Sequence, residues 1–223
     1  MIRMFAVTGG YHRYFSHRSF KTTRLGEDLM AWFSVPLGIG SPIQYARNHR
    51  FHHRVVDTEM DLHSPLNDGR ILTAVGAWAF HDVNWFMNKG TESVRDLMGH
   101  PTFRFINRWY YWIWYSALLS PLLIDWRITI FLLAMPSFIF HLELNVFVNT
   151  VGHSWGYRNF ETKDASRNNK WVQLWTLGEG LHNNHHARPG LFDFAAKSDE
   201  SDVSAWVIRR FFARDPLQAE EPI

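Results

Sequence analysis

The sequence predicts an all-α, integral-membrane domain with a transmembrane helical hairpin and a histidine-rich helical cap on one side of the bilayer. Two long apolar stretches and the helical spacing of clustered histidines lead to this prediction. The first stretch, Trp109–Trp126, carries one charged residue, Asp125, and the second, Ile128–Gly152, carries Glu143. Each stretch is close to the roughly 20 apolar residues that a helix needs to cross a hydrocarbon core.

A tight turn around residues 125–127 would join the two stretches, and tryptophans and tyrosines crowd the start of the first. Amphipathic rings favour the headgroup level of a bilayer, which favours a spanning hairpin over the buried core hairpin of a soluble all-α protein. A third apolar stretch, Ala31–Ala46, is shorter and interrupted by proline and glycine, so we expect it to re-enter or lie in the interface. A short amphipathic helix is predicted over Val203–Phe212. No repeat or linker divides residues 1–223, which we predict to form one domain.

Composition excludes several classes of protein. The 223 residues contain no cysteine, which excludes a disulfide scaffold, a cysteine-ligated zinc or iron–sulfur site and a thiol nucleophile. A hydrophobic fraction of 46% excludes low-complexity disorder. The net charge of only +2 argues against a nucleic-acid partner. The 13 histidines remain to be explained.

Eight histidines fall in three tight groups, and a ninth, His153, follows the second apolar stretch. The groups are His12 and His17; His49, His52 and His53; and His182, His185 and His186. Spacings of three and four place the members of the second and third groups on one face of a helix, and Asn149 shares a face with His153. His12 and His17 lie about 140° apart around an ideal helix, so they converge only at a helix end or a distorted turn.

The clustering of these imidazoles predicts a two-metal site. Packing six or more imidazoles together without a counter-charge costs several kcal/mol, and a bound cation removes that cost by using the neutral ring as ligand. Eight or nine ligands exceed the capacity of one tetrahedral or octahedral ion, so two ions are predicted. Nitrogen ligands without cysteine argue against structural zinc and fit iron.

The groups must lie on one side of the membrane to share this site. Two spans between His53 and His153 return the chain to its starting side, provided that Ala31–Ala46 does not cross. Arginines and lysines flank the histidines, and positive residues are enriched on the cytoplasmic side. The metal site of this integral membrane protein is therefore predicted to face the cytoplasm.

At these residues the chain resembles the integral-membrane fatty acid desaturases, specifically the stearoyl-CoA (acyl-CoA Δ9) desaturase branch and its bacterial relatives. The three histidine boxes of that family are matched by His12-Arg-Tyr-Phe-Ser-His17, His49-Arg-Phe-His52-His53 and His182-Asn-Asn-His185-His186. Flanking matches are Asp57-Thr-Glu-Met-Asp-Leu-His63-Ser-Pro, Trp155-Gly-Tyr-Arg, Ser166-Arg-Asn-Asn and Gly178-Glu-Gly. The resemblance covers roughly residues 9–212.

The resemblance implies an O2-dependent desaturase that inserts a cis double bond, at the Δ9 position, into a saturated acyl chain. It implies a fatty acyl thioester or acyl lipid as substrate, membrane lipid around the protein, and a small cytochrome or ferredoxin as redox donor with its reductase. It implies a centre of two iron ions (Fe2+) and no catalytic residue beyond the metal ligands. The implied metal-site positions are His12, His17, His49, His52, His53, Asn149, His153, His182, His185 and His186, with the asparagine acting through a water.

Two departures from the family pattern leave alternatives open. Members of the family have two apolar spanning helices before the first box, whereas only eleven residues precede His12, so we expect those N-terminal helices to be missing here. Tyr45-Ala-Arg47-Asn48-His49 stands where animal acyl-CoA enzymes have Trp-Ala-Arg-Asp-His, which leaves acyl-lipid or acyl-carrier substrates open. The alternatives to a desaturase are a membrane di-iron fatty acyl hydroxylase and a non-catalytic remnant.

Metal-bound imidazoles usually donate their second N–H to a carboxylate or carbonyl. Candidates for supporting the ligands in this way are Asp57, Glu59, Asp61, His63 and Glu179. Three histidines match no box: His81 and His100 are predicted at the surface, and His141 is expected, with Glu143, to face protein or water.

Overall fold

The computed structural model describes residues 2–61, 63–76 and 91–214 of the chain. Every regular element in these ranges is helical, as predicted, with isolated antiparallel bridges joining Tyr157 to Asn168 and Asn168 to Leu181. These bridges tie the loop after the long hairpin to the segment that carries the third histidine group.

In the first half of the chain, two helices pack against a central helical segment, Ala6–Ser16. The elements of this half are α1 (Ile2–Phe5), a π-helical continuation of α1 (Ala6–Ser16), α2 (Arg24–Ser34), a 3-10 turn (Val35–Leu37), α3 (Pro42–Val55) and α4 (Arg70–Val75). Thr23 caps α2 by accepting from the backbone of Gly26, and Ser41 forms a capping box with Gln44 at the start of α3.

The π-helical segment Ala6–Ser16 lies at the centre of the molecule. All of its residues are buried, and it packs against α2 and α3. The Tyr11 ring stacks on Tyr45 of α3 with centroids 4.8 Å apart, and Phe15 meets Phe103 edge to face at 5.0 Å. His12 is therefore carried by a fully buried element, and His17 follows directly at its end.

The second half of the chain contains a helical hairpin and several shorter helices. Its elements are a 3-10 turn (Thr91–Val94), α5 (Arg95–Met98), α6 (Pro101–Leu119), a 3-10 turn (Ser120–Leu123), α7 (Trp126–Ile128), a π-helix (Thr129–Ala134), α8 (Met135–Leu142), a π-helix (Glu143–Val151), α9 (Lys170–Trp175), α10 (His182–Ala187), α11 (Val203–Val207) and a π-helix (Ile208–Phe212). The last two elements confirm the short helix predicted over Val203–Phe212.

The turn predicted between the two apolar stretches is confirmed. Asp125 begins the second arm by accepting a hydrogen bond from the backbone N–H of Arg127 at 2.9 Å. The junction residues Thr129, Met135 and Glu143 keep right-handed helical dihedral angles, so the arm runs on from Trp126 to Val151. Among residues 2–61, 63–76 and 91–214, no single helix combines the length and apolar character needed to cross a membrane. The helical hairpin is confirmed, and its transmembrane placement is not.

One surface prediction is wrong. His100 is buried, because its Nε2 lies 3.0 Å from Glu27 Oε2 and its ring stacks on Phe103 with centroids 3.5 Å apart. His81 lies outside the described residues. His141 and Glu143 both line a cavity, which agrees with the expectation that they face protein or water.

Candidate metal centre

The central π-helix explains how two histidines five positions apart converge. The backbone N–H of His17 donates to the carbonyl of His12 at 3.2 Å, an i to i+5 bond that defines this helix type. The wider turn brings the two rings to a centroid distance of 5.0 Å. The expected distorted turn is therefore present.

The first of two histidine groups, called the five-histidine group, draws on three helical elements. It consists of His12, His17, His49, His53 and His185, whose ligand atoms all lie within 4.8 Å of one another. Its closest Nε2–Nε2 distances are 2.9 Å for His12–His185, 2.8 Å for His17–His49, 3.0 Å for His49–His53 and 3.0 Å for His53–His185.

The Nε2 atoms of this group cannot satisfy one another by hydrogen bonding. Each carries either one hydrogen or one lone pair, so each joins in only one N–H···N bond. Five atoms therefore form at most two such bonds, whereas four close contacts are present. A metal ion that accepts all five lone pairs removes the conflict. Two imidazole nitrogens at right angles, each about 2.1 Å from one ion, would lie about 3.0 Å apart. The donor set fits a metal ion.

The second group, called the four-histidine group, lies beside the first. It consists of His52, His153, His182 and His186. The ligand atoms of His52, His153 and His186 lie within 4.8 Å of one another, and Nε2 of His182 is 3.0 Å from Nε2 of His153. The Nε2 atom of His186 is buried without a hydrogen-bond partner, which suits a metal ligand.

Helices α3 and α10 each contribute to both groups. On α3, His49 and His53 join the five-histidine group while His52 joins the other; on α10, His185 is separated from His182 and His186 in the same way. The rings of His53 and His186, one from each group, are only 4.6 Å apart between centroids. The two candidate metal positions are therefore neighbours. Asn149 lines the adjoining cavity, and its Nδ2 donates to Asn145 Oδ1 at 3.4 Å.

Carboxylates hold the outer nitrogens of four of these histidines. The Nδ1 contacts are His12 to Glu179 at 2.5 Å, His52 to Asp61 at 2.9 Å, His153 to Asp57 at 3.0 Å and His186 to Asp164 at 3.2 Å. An Nδ1–H donated to a carboxylate leaves the Nε2 lone pair free toward the group interior. Three of the five predicted partners make this contact.

The other two predicted partners differ. Glu59 is exposed on the surface, and the ring of His63 packs beside His52 with centroids 5.8 Å apart. Asp164 was missed, because a loop carboxylate 22 positions from His186 has no spacing that signals the pair. Its place two residues before the Ser166-Arg-Asn-Asn match was the one available hint.

The electrostatics favour neutral imidazoles. Burial lowers the pKa of five histidines well below the ordinary value, and neighbouring histidines lower it further: His17, His49, His53, His182 and His185. Burial also lowers the pKa of His186, to about 4. At His52 burial lowers the pKa, but the carboxylates of Asp61, Asp57 and Asp164 together outweigh burial and the net pKa is raised. Most of the site thus presents lone pairs at neutral pH.

A cavity of about 330 Å³ adjoins both groups. Four of the nine histidines are in its wall, together with Arg47 and Asn48. Its apolar lining includes Val7, Tyr45, Trp114, Phe140, Leu144 and Val148. A mainly apolar space beside candidate metal positions suits an apolar ligand.

These features define a helical protein with a nine-histidine centre in two groups, set against an apolar cavity. The chain belongs to the fatty acid desaturase family, because the family model described as "Fatty acid desaturase" matches residues 1–193 and several relatives are at least 30% identical. The enzymes of this family are oxidoreductases.

The chain is similar to several plant proteins. The Arabidopsis thaliana protein named "Probable lipid desaturase ADS3.2, chloroplastic" is 38% identical over 217 residues, covering 92% of this chain and 56% of the relative. "Delta-9 desaturase-like 5 protein" of Arabidopsis thaliana is 31% identical over 220 residues, covering 92% and 69%. "Acyl-CoA C20 Delta5-desaturase" of Anemone leveillei is 33% identical over 203 residues, covering 87% and 61%.

The chain spans between about half and two thirds of the length of these relatives. Their names differ both in the position of the double bond and in the carrier of the acyl chain.

Proposed function

We propose that this chain carries the catalytic centre of an O2-dependent fatty acyl desaturase with two histidine-ligated iron ions. The observation that carries the proposal is the separation of nine histidines into two adjoining groups. Neighbouring Nε2 atoms of the five-histidine group lie 2.8 to 3.0 Å apart, and in the four-histidine group those of His153 and His182 lie 3.0 Å apart. One ion would be held by His12, His17, His49, His53 and His185. The other would be held by His52, His153, His182 and His186, with Asn149 acting through a water.

The bound iron ions would supply the O2-dependent oxidising chemistry that breaks an unactivated C–H bond, which side chains cannot perform. The protein's own part is to hold the imidazoles in one tautomer and to exclude water from the reacting carbons. Carboxylates at His12, His52, His153 and His186 support the first role. The cavity supports the second, because its mainly apolar wall would fix which carbons of an acyl chain lie beside the metal ions.

The substrate proposed is a saturated fatty acyl chain on a thioester or a lipid, desaturated at Δ9. The apolar wall suits the acyl chain, while Arg47 and Asn48 in the same wall suit a polar or phosphate-bearing carrier. The relative named as a Δ9 desaturase-like protein supports that position, and the relatives named for lipid and acyl-CoA substrates support the two carriers. The electrons would come from a small cytochrome or ferredoxin with its reductase.

We propose that the hairpin of α6 and the arm Trp126–Val151 sits in a membrane, with the histidines on the cytoplasmic side. Large apolar side chains cover the outside of the hairpin, including Trp112 at 72% exposed and Leu123 at 90%. Others are Trp109, Leu119, Ile124, Phe131, Phe138 and Leu142. Soluble proteins rarely expose such a continuous apolar patch, whereas lipid contact would bury it.

The test is product analysis in cells that express the chain and are fed a deuterated saturated fatty acid. A deuterated cis-monounsaturated product, with its double bond located by mass spectrometry, is the expected result. The matched control is the His186→Ala variant, which should give none. A hydroxylated product would favour the hydroxylase alternative, and an unchanged acid despite a full complement of iron would favour the non-catalytic alternative.

A further inference from the structure

A row of buried charges leads from the five-histidine group to the C-terminal segment. Glu179 Oε2 lies 2.5 Å from Nδ1 of His12, and Oε1 of the same carboxylate lies 3.4 Å from Nη2 of Arg13. That Nη2 donates to Oδ2 of Asp202 at 2.8 Å. His12 is thus connected through two carboxylates and one guanidinium to a residue 190 positions further along the chain.

The row is almost fully enclosed. The side chain of Arg13 is 0% exposed, that of Asp202 1% and that of Glu179 5%. The guanidinium also lies over the Phe194 ring, 3.9 Å from its centroid. Charged groups at this depth are rare unless they are paired. Two carboxylates around one guanidinium leave one negative charge beside His12, where a bound cation would balance it.

The backbone at Gly178 leaves room for the carboxylate of Asp202 beside Glu179 and Arg13. Gly178, the residue before Glu179, has a φ of +119°, and a Cβ there would lie 2.4 Å from Oδ1 of Asp202. Oδ1 accepts from the N–H of Ala205 at 2.9 Å and so caps α11, while Oδ2 also accepts from Phe194 at 3.0 Å. Asp202 therefore holds the C-terminal segment and Arg13 in one fixed arrangement.

We propose that Arg13 and Asp202 are positioning residues for the metal ion of the five-histidine group. Asp202 holds Arg13, and Arg13 engages one oxygen of Glu179, which leaves the other oxygen for Nδ1–H of His12. His12 Nε2 is thereby kept facing the other four ligands. The inference rests on the proposed two-metal function, and it gives the acidic segment after residue 198 a role in the site.

The test compares Asp202→Asn with Asp199→Asn. Asparagine caps a helix about as well as aspartate, so the amide oxygen of D202N still accepts from the N–H of Ala205. Its NH2 group replaces the charged oxygen that accepts from Arg13 and Phe194, and so removes the contact that holds Arg13. Asp199 is 61% exposed and pairs with Lys170 on the surface, which makes D199N the same chemical change without the buried partner. The probe is ferrozine, which captures Fe2+ released from the anaerobic iron-loaded protein.

We expect two iron ions to leave the unmodified protein, and one of them to leave D202N on the order of 10-fold faster, since partners behind metal ligands typically contribute 10 to 100-fold to affinity. The second ion of D202N, and both ions of D199N, should be released at the rates of the unmodified protein. Glu179→Gln should speed release of the same ion. The double variant should release it no faster than E179Q alone, because Asp202 acts through Glu179.

Three results would overturn the inference. D202N could release iron at the unmodified rate, or additive effects could appear in the double variant. Alternatively, D202N could release both ions faster and lower the unfolding temperature of the metal-free protein, which would mark a purely structural role. If the unmodified protein does not hold two iron ions, the proposed function itself fails, and that result is separate from any comparison among variants.

Discussion

The Nε2 atom of His12 lies 2.9 Å from the Nε2 atom of His185, although 173 positions separate the two residues. His12 comes from the central π-helix and His185 from α10, so the contact closes the chain around the site. Nε2 of His185 also lies 3.0 Å from Nε2 of His53, and it can form a hydrogen bond with only one of these two neighbours. The fold therefore brings together lone pairs that a cation would satisfy.

The stability of the metal-free protein should fall as the pH is lowered from 7 to 5. The pKa of His186 is lowered to about 4, and the pKa values of five other buried histidines are also lowered. Unfolded histidines titrate near 6.5, so between these values the unfolded chain binds more protons and is favoured as pH falls. His186 alone contributes about 3 kcal/mol over the full window. His52, whose pKa is raised, opposes the trend only in part.

Thermal unfolding of the metal-free protein at pH 7, 6 and 5 measures this dependence. The midpoint should drop at each step, and His186→Ala should flatten the slope. A midpoint that is constant or rises toward pH 5 would show that these histidines are not buried neutral in the folded chain.

Asp164→Asn should weaken metal binding in the four-histidine group. Asp164 Oδ2 lies 3.2 Å from Nδ1 of His186, and hydrogen bonding to His186 lowers the pKa of this carboxyl despite its burial. Losing the charge loosens the ring, and a loss of about 10 to 100-fold in affinity for one ion is expected. Titration with Fe2+ against a competing chelator measures it. Glu161→Gln, an exposed change in the same loop, is the control, and equal affinities in the two variants would reject the role.

His52→Ala should abolish desaturation while leaving membrane association intact. The side chain reaches into the four-histidine group from α3, and its Nδ1 is held by Asp61 at 2.9 Å. Loss of a ligand should reduce product at least about 100-fold, more than loss of a partner behind a ligand. Product analysis and membrane fractionation check the two halves. Arg54→Ala, an exposed change on the same helix, should keep normal activity. Substantial product from His52→Ala would remove this residue from the site.

The orientation of the hairpin can be tested with single cysteines, since the chain has none. Lys21 and Ser198 are exposed in the segments that follow the first and third histidine groups, and Leu123 is 90% exposed at the hairpin turn. Ser19, two residues before Lys21, is unsuitable for labelling because it is buried and donates to the Arg13 carbonyl. An impermeant thiol reagent should label Leu123→Cys in intact cells, and the other two only after the membrane is opened. Labelling of all three from the same side would contradict a spanning hairpin.

Local sequence signals predicted much of this fold. The turn at Asp125 and the helix at Val203–Phe212 were predicted, because hydrophobic length and periodicity depend on neighbouring residues. The convergence of the histidines followed from their spacing and number.

The finer arrangement depends on packing that the sequence does not encode locally. Adjacent residues such as His52 and His53 point about 100° apart on a helix, and only the docking of α3 against α10 decides which group each joins. The buried pair of Arg13 and Asp202 joins opposite ends of the chain, so no short spacing indicates it. The surface prediction for His100 failed because Glu27 and Phe103 enclose its ring, and no sequence motif links these residues to His100.

Iron content is the most direct measurement of the central claim. Elemental analysis of protein made with ample iron and purified without chelators should find two iron ions per polypeptide. His52→Ala and His17→Ala, one change in each group, should each lower the count toward one, because each removes a ligand from a different ion. One metal ion per polypeptide in the unmodified protein, or zinc as the main metal, would contradict the two-iron centre.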